Sequence, residues 1–100
     1  MGKDEQSIEA EIQAKGKTAN RITPDMVDAE ITRTQFHVFS GSQLTVCCLT
    51  LKNGFTVTGE SACASPENFD VQIGQTVAFA KAREKIWAFL VFRLKDGMSS

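Results

Sequence analysis

Two short runs rich in β-branched and apolar residues, Leu44–Leu51 (LTVCCLTL) and Phe55–Ser61 (FTVTGES), flank Lys52-Asn53-Gly54. That arrangement predicts a β-hairpin over residues 44–61, and the alternation decides its register. A two-residue Asn53-Gly54 turn pairs Leu51 with Thr56 and Leu49 with Thr58, which mixes apolar and polar groups on one face. A three-residue Lys52-Asn53-Gly54 loop, with Gly54 in the left-handed bulge position, pairs Leu51 with Phe55, Leu49 with Val57 and Cys47 with Gly59. A one-residue slip would turn the apolar set to the wrong side, so the three-residue loop is the expectation. The opposite face then gathers Cys48, Thr50, Thr56, Thr58 and Glu60, a lattice of hydroxyls with one carboxylate.

The pattern upstream predicts a short helix opened by Thr23-Pro24-Asp25 and ending near Arg33, with Met26, Val27, Ala29 and Ile31 on its apolar side. A strand over Thr34–Phe39 (TQFHVF) follows, stopped by Gly41-Ser42. Downstream, Ser65-Pro66-Glu67 reads as a helix start with a turn or kink near Asn68-Phe69-Asp70. A long helix is expected from about Asp70 to the low nineties. It carries two apolar stripes, one of Ile73, Val77, Ala80 and Trp87 and one of Phe79, Ala82, Ile86 and Leu90. Lys81, Arg83, Glu84 and Lys85 take the remaining surface. Two stripes call for burial on two sides, against the sheet and against another subunit. Phe89-Leu90-Val91-Phe92 is too apolar for one solvated face and implies a subunit contact or a last strand. The expected fold is α+β: a small antiparallel sheet, made of hairpin 44–61 and a strand near 34–39, packed by a long C-terminal helix in an oligomer.

Ile8 and Ile12 are the main apolar positions of a charged first segment, so residues 1–20 read as a flexible arm or one that orders on a neighbouring subunit. Residues 21–95 form one domain, and Lys95-Asp96-Gly97 opens a tail that covers 96–100. A chain of 100 residues has limited capacity to bury a core and gains by pairing. The formal net charge of -1 gives no global pull toward nucleic acid or anionic membrane. The longest apolar run, Ile86–Phe92, is too short to span a bilayer, and no secretory signal is visible, so the expectation is a soluble intracellular protein. Cys47, Cys48 and Cys63 lack CxxC spacing, and His37 is the only histidine. Free thiols without a metal are the simpler reading.

No catalytic constellation emerges. Glu60, Glu67 and Asp70 are acidic groups around the hairpin exit, but Glu67 and Asp70 are explained as helix N-terminal charges. Glu60 is either a solvated strand residue or a ligand contact. A cysteine nucleophile needs a base, and His37 reads as structural. Phosphate-binding glycine loops are absent from the sequence. Lys81, Arg83 and Lys85 with Phe79 and Trp87 contain the types for a cation-and-aromatic platform, but they sit on different helical sides.

Ile22-Thr23-Pro24-Asp25, Leu44-Thr45-Val46-Cys47, Leu51–Cys63 (LKNGFTVTGESAC), Ser65–Asp70 (SPENFD), Ile73-Gly74 and Lys85-Ile86-Trp87 together resemble the bacteriophage gp-forty-nine-like family, of phage N-four and Sf-six type. The resemblance covers roughly residues 22–92. The pattern is also similar to Tad-one-type Thoeris anti-defence sponges. These phage proteins sequester cyclic ADP-ribose isomers, and in some cases cyclic di- or trinucleotides, between the subunits of dimers and hexamers, and release them intact. The resemblance implies a non-enzymatic, cofactor-free homo-oligomer (dimer or hexamer) that works in the cytoplasm of an infected bacterium. Its partner would be a cyclic nucleotide signal, with no DNA and no membrane. A small phage oligomer that binds a host or phage protein is the other expectation. Asn53, Phe55, Thr56, Thr58, Glu60, Asn68 and Arg83 supply the side-chain types for a ribose, a base and a pyrophosphate and are the candidate ligand contacts. Asn53 and Gly54 are also explained as turn residues, and Phe55 as core. Two departures stand out. The family pattern has basic residues where this chain has Gln75 and Phe79. If that pair contacts phosphates in relatives, this chain lacks that second site.

Overall fold

The computed structural model describes residues 21–99 and Ile8; the expected arm over residues 1–20 otherwise lies outside the described residues. A short helix α1 (Pro24–Glu30) leads into strands β1 (Ile31–Val38), β2 (Leu44–Leu51) and β3 (Thr56–Ala62). A 3-10 turn (Pro66–Asn68) and a long helix α2 (Val71–Ser99) complete the chain. The strands form one antiparallel sheet in the order β1-β2-β3. The α+β architecture expected from the pattern is present, with the long C-terminal helix on one face of the sheet.

Thr23 caps α1, its Oγ1 accepting from the Met26 amide at 3.3 Å, with Pro24 in the first turn. The helix stops at Glu30, not near Arg33, because the β-branched pair Ile31-Thr32 is already extended. β1 therefore starts before Thr34. Ile31 pairs with Leu51, and Thr32 is the extra residue of a bulge, its hydroxyl donating to the Thr50 carbonyl at 3.1 Å.

The hairpin register is the one the apolar pattern selects. Leu49 lies opposite Val57 and Cys47 opposite Gly59. Gly54 has φ +88°, and the Leu51 amide donates to the Phe55 carbonyl at 2.8 Å across the loop. Phe55 itself is not core: 57% exposed, it rests edge-on against Phe89 with ring centroids 5.6 Å apart.

Helix α2 lies across β2 and β3. Its buried row is Gly74, Ala78, Ala82, Ile86 and Leu90, four residues apart, set against Cys47, Leu49, Leu51 and Val57, with Val27 of α1 closing one side. The Ile73 and Val77 part of the other predicted stripe is left outside, at 64% and 37% exposed. Small residues decide which side turns inward. At Gly59 the helix backbone sits directly on the strand: an added Cβ would collide with the Ala82 amide nitrogen and the Ala78 carbonyl oxygen. Close approach with Ala78 and Ala82 beneath wins over the larger side chains of the alternative face.

Asp70 caps α2, its Oδ1 accepting from the Gln72 amide at 2.9 Å and the Ile73 amide at 3.1 Å. Ser65 does not cap; its hydroxyl donates to the Glu67 carboxylate, which holds the Glu67 pKa below the usual range. The helix also runs on to Ser99, through Lys95-Asp96-Gly97, where a loose tail was expected. Arg83 is not on the solvated surface either. Its Nε donates to Asp28 Oδ1 at 2.7 Å and its terminal nitrogen to the Pro24 carbonyl at 3.1 Å, so it clasps α1 to α2.

Thr45 is fully buried, and among the described residues no partner reaches its Oγ1. An unpaired buried hydroxyl is costly, whereas an apolar group of similar shape is not. Thr45→Val is expected to raise unfolding stability by about 1 kcal/mol in urea titration.

Candidate functional site

Because α2 covers β2 and β3, the edge strand β1 is left beside the helix rather than beneath it. Phe36 pairs with Cys47 and Thr34 with Leu49, so both belong to the face that carries the core, yet both remain exposed. The step between this uncovered strand and the helix wall is a groove of ≈ 430 Å³ lined by Phe36, Gln72, Gln75, Thr76 and Phe79. Its volume falls within the range of small-ligand sites, about 300–1,000 Å³. The four helical residues stand at i, i+3, i+4 and i+7, one face of α2. Phe79 packs partly on the core, which fixes its ring, while Phe36 is 39% exposed across the groove. The Thr76 hydroxyl donates to the Gln72 carbonyl at 2.9 Å, so its remaining capacity is to accept. The sequence reading singled out Gln75 and Phe79 as departures but did not see that they meet Phe36. The available signal was helical spacing combined with strand parity, which puts Phe36 and Cys47 on one face.

The other face of the sheet carries a polar lattice. By register, Arg33, Gln35 and His37 of β1 stand beside Thr50, Cys48 and Val46 of β2, which stand beside Thr56, Thr58 and Glu60 of β3. These side chains are exposed or half-buried. The His37 ring is set edge-on to Phe39 at 4.6 Å.

The candidate residues are thus dispersed. Thr56, Thr58 and Glu60 share one strand face. Asn53 serves its own turn, its Oδ1 accepting from the Phe55 amide at 3.0 Å. Phe55 joins Phe89, Asn68 ends the 3-10 turn, and Arg83 holds α1. None of the seven lines the Phe36–Phe79 groove.

A second cavity of ≈ 320 Å³ lies where α1, the hairpin loop and the far half of α2 meet, lined by apolar Ile22, Met26, Ala29, Leu90 and Leu94 with Glu30, Lys52 and Arg93. Two of its charges pair across the seam, Arg93 donating to Glu30 Oε2 at 3.3 Å, and the Lys52 backbone amide donates to the Glu30 backbone carbonyl at 3.1 Å.

Cys47 is buried in the core, and burial, with Cys48 beside it, pushes its thiol pKa above the ordinary value of 9.0. A thiol held protonated there is a poor nucleophile. Because the folded state keeps this proton where the unfolded chain releases it, its contribution to stability is present below the ordinary thiol pKa and is lost as pH rises past it. Half-buried Cys48 and Cys63 are expected to react with iodoacetamide at about pH 8, and Cys47 only after unfolding; peptide mass mapping reads this directly. Among the described residues no three of His, Cys, Asp and Glu come together as a metal site, and no helix is long and apolar enough to cross a membrane.

The described residues thus form a small α+β unit with a neutral, aromatic-walled groove on one side of the sheet and an open polar face on the other. Residues 22–98 match the model of the Phage protein (N4 Gp49/phage Sf6 gene 66) family, and the chain belongs to that family. No curated protein and no solved structure matches the chain.

Proposed function

We propose that this phage-family protein binds a cyclic nucleotide signal, in the class of cyclic ADP-ribose isomers and cyclic di- or trinucleotides, and holds it without breaking a bond, so that a bacterial defence response is not triggered. The reading joins the family's phage origin and the resemblance to anti-defence sponges to one observation: the groove whose lining brings Phe36 and Phe79 together with Gln72, Gln75 and Thr76. Capture by stacking and hydrogen bonding needs no nucleophile, base or metal. Assembly is part of the proposal. Ile73 and Val77 on α2 are exposed apolar surface that a second copy would bury.

The test is capture and release. Protein in excess is mixed with a panel of cyclic ADP-ribose isomers and cyclic di- and trinucleotides, passed over a membrane that retains protein, then heated and filtered again. The proposal expects at least one member to vanish from the first filtrate and to return chemically unchanged in the second. Degradation of the captured ligand, or free passage of the whole panel through the first membrane, contradicts it. The second reading, a scaffold for a host or phage protein, is favoured by Phe92, at 70% exposed the most open phenylalanine among the described residues. It predicts free passage of every nucleotide.

A further inference from the structure

We infer that the Phe36–Phe79 groove takes the uncharged heteroaromatic ring of its ligand, an adenine-type base, and that any phosphates lie outside it. The inference rests on the nucleotide-binding reading above and assigns the ring to one place.

Charge decides first. The five groove residues, Phe36, Gln72, Gln75, Thr76 and Phe79, are all neutral. A phosphate there would lose hydration with no cation to compensate it. The nearby start of α2 does not substitute for a cation, because the Gln72 and Ile73 amides already donate to the Asp70 carboxylate, and a second anion would face that negative group.

Shape and hydrogen bonding decide next. Phe36 from the strand and Phe79 from the helix put two aromatic side chains on the groove, and an aromatic side chain stacks favourably on any base. Between them, Gln72 and Gln75 each carry one carbonyl acceptor and two amide donors. A carboxamide pairs bidentately with a ring edge that presents adjacent donor and acceptor, as adenine does through its exocyclic amine and neighbouring ring nitrogen. The Thr76 oxygen, its proton engaged by the Gln72 backbone carbonyl, adds one further acceptor for an amine. Both residues line the groove, Gln72 exposed and Gln75 half-buried, and neither belongs to the core. These two residues set which base is held, and the two rings set how tightly.

The experiment is NMR on the full-length protein, observing the Gln72 and Gln75 side-chain amides and the Phe36 and Phe79 rings. The probes are adenosine, ribose 5-phosphate and a cyclic ADP-ribose isomer. Adenosine is expected to shift all four sets of signals and ribose 5-phosphate to leave them in place. Gln75→Leu and Gln72→Leu, at positions outside the core, are each expected to weaken adenosine binding about tenfold while the unfolding transition stays unchanged. Phe36→Ala is expected to weaken it by a similar factor of about ten. If adenosine leaves the signals unmoved, or ribose 5-phosphate moves them as much, the inference is wrong. A cyclic ADP-ribose isomer that binds without touching these signals overturns the groove assignment and leaves sequestration standing. Adenosine binding in the groove with no binding of any cyclic nucleotide does the reverse.

Discussion

Gly59→Ala is expected to lower the stability of the folded chain by about 3 kcal/mol or more, the upper range for overpacking a core. The reason lies in what the new methyl group would meet. Its neighbours are the Ala82 amide nitrogen and the Ala78 carbonyl oxygen, atoms of the helix ladder that cannot turn aside as a side chain can. To admit the methyl group, α2 must lift from β3 and loosen its contacts at Val57 and Leu49, or β3 must bend. A domain of this size has only about 5–15 kcal/mol in total, so the variant is expected to unfold at markedly lower urea and in part at 37 °C. Gly54 is the internal control. It also has a special backbone, at φ +88°, but nothing lies within contact distance of a Cβ there. Its alanine variant suffers only the left-handed backbone penalty of about 1–2 kcal/mol. Equal losses at the two glycines would contradict the close helix–sheet contact.

Leu49→Ala is expected to cost about 3–4 kcal/mol, within the range for emptying a buried leucine site. Leu49 is fully buried on the central strand, with Val57 opposite it and the Ala78–Leu90 row of α2 above. Paired strands on both sides and a helix above leave the cavity little room to collapse. Phe55→Ala removes a larger side chain and is nevertheless expected to cost under about 1 kcal/mol, because Phe55 is 57% exposed and its one ring contact is to half-exposed Phe89. Urea titration of the two variants separates core from surface in the hairpin. A large loss at Phe55 would mean that this ring is buried in solution, as it would be in an assembly.

The hairpin was legible because its two faces differ in kind. Leu49, Leu51 and Val57 against Thr50, Thr56 and Thr58 admit one register, and the three-residue loop with Gly54 follows from it. The cap at Thr23 is local chemistry of adjacent residues and was legible; the cap expected at Ser65 is instead made by Asp70, which the sequence marked only as a charge at the helix start. The inward side of α2 was less legible. The pattern offers two apolar stripes and does not rank them; the structure buries Ala82, Ile86 and Leu90 of one and adds Gly74 and Ala78 to it, because Gly59 on the facing strand allows backbone contact. That is a property of two elements together and is written in neither alone. Arg83 illustrates the same limit. Its type suits a phosphate, but its actual partners are Asp28 and the Pro24 carbonyl, far away in sequence. The groove was missed for a related reason. Gln72, Gln75, Thr76 and Phe79 share a helix side that any sequence reading can find, but their relation to Phe36 depends on α2 leaving β1 uncovered. The candidates Thr56, Thr58 and Glu60 do share a face as alternation requires, and that face lies across the sheet from the groove.

The central claim is reversible capture of a cyclic nucleotide by a chain of this phage family. Isothermal titration of the purified protein with a panel of cyclic ADP-ribose isomers and cyclic di- and trinucleotides tests it most directly. The account predicts saturable, stoichiometric heat for at least one member of the panel, reduced in Gln75→Leu and unchanged in Phe92→Ser. Absence of heat across the whole panel, from protein with an intact unfolding transition, would contradict it and leave the protein-partner reading in its place.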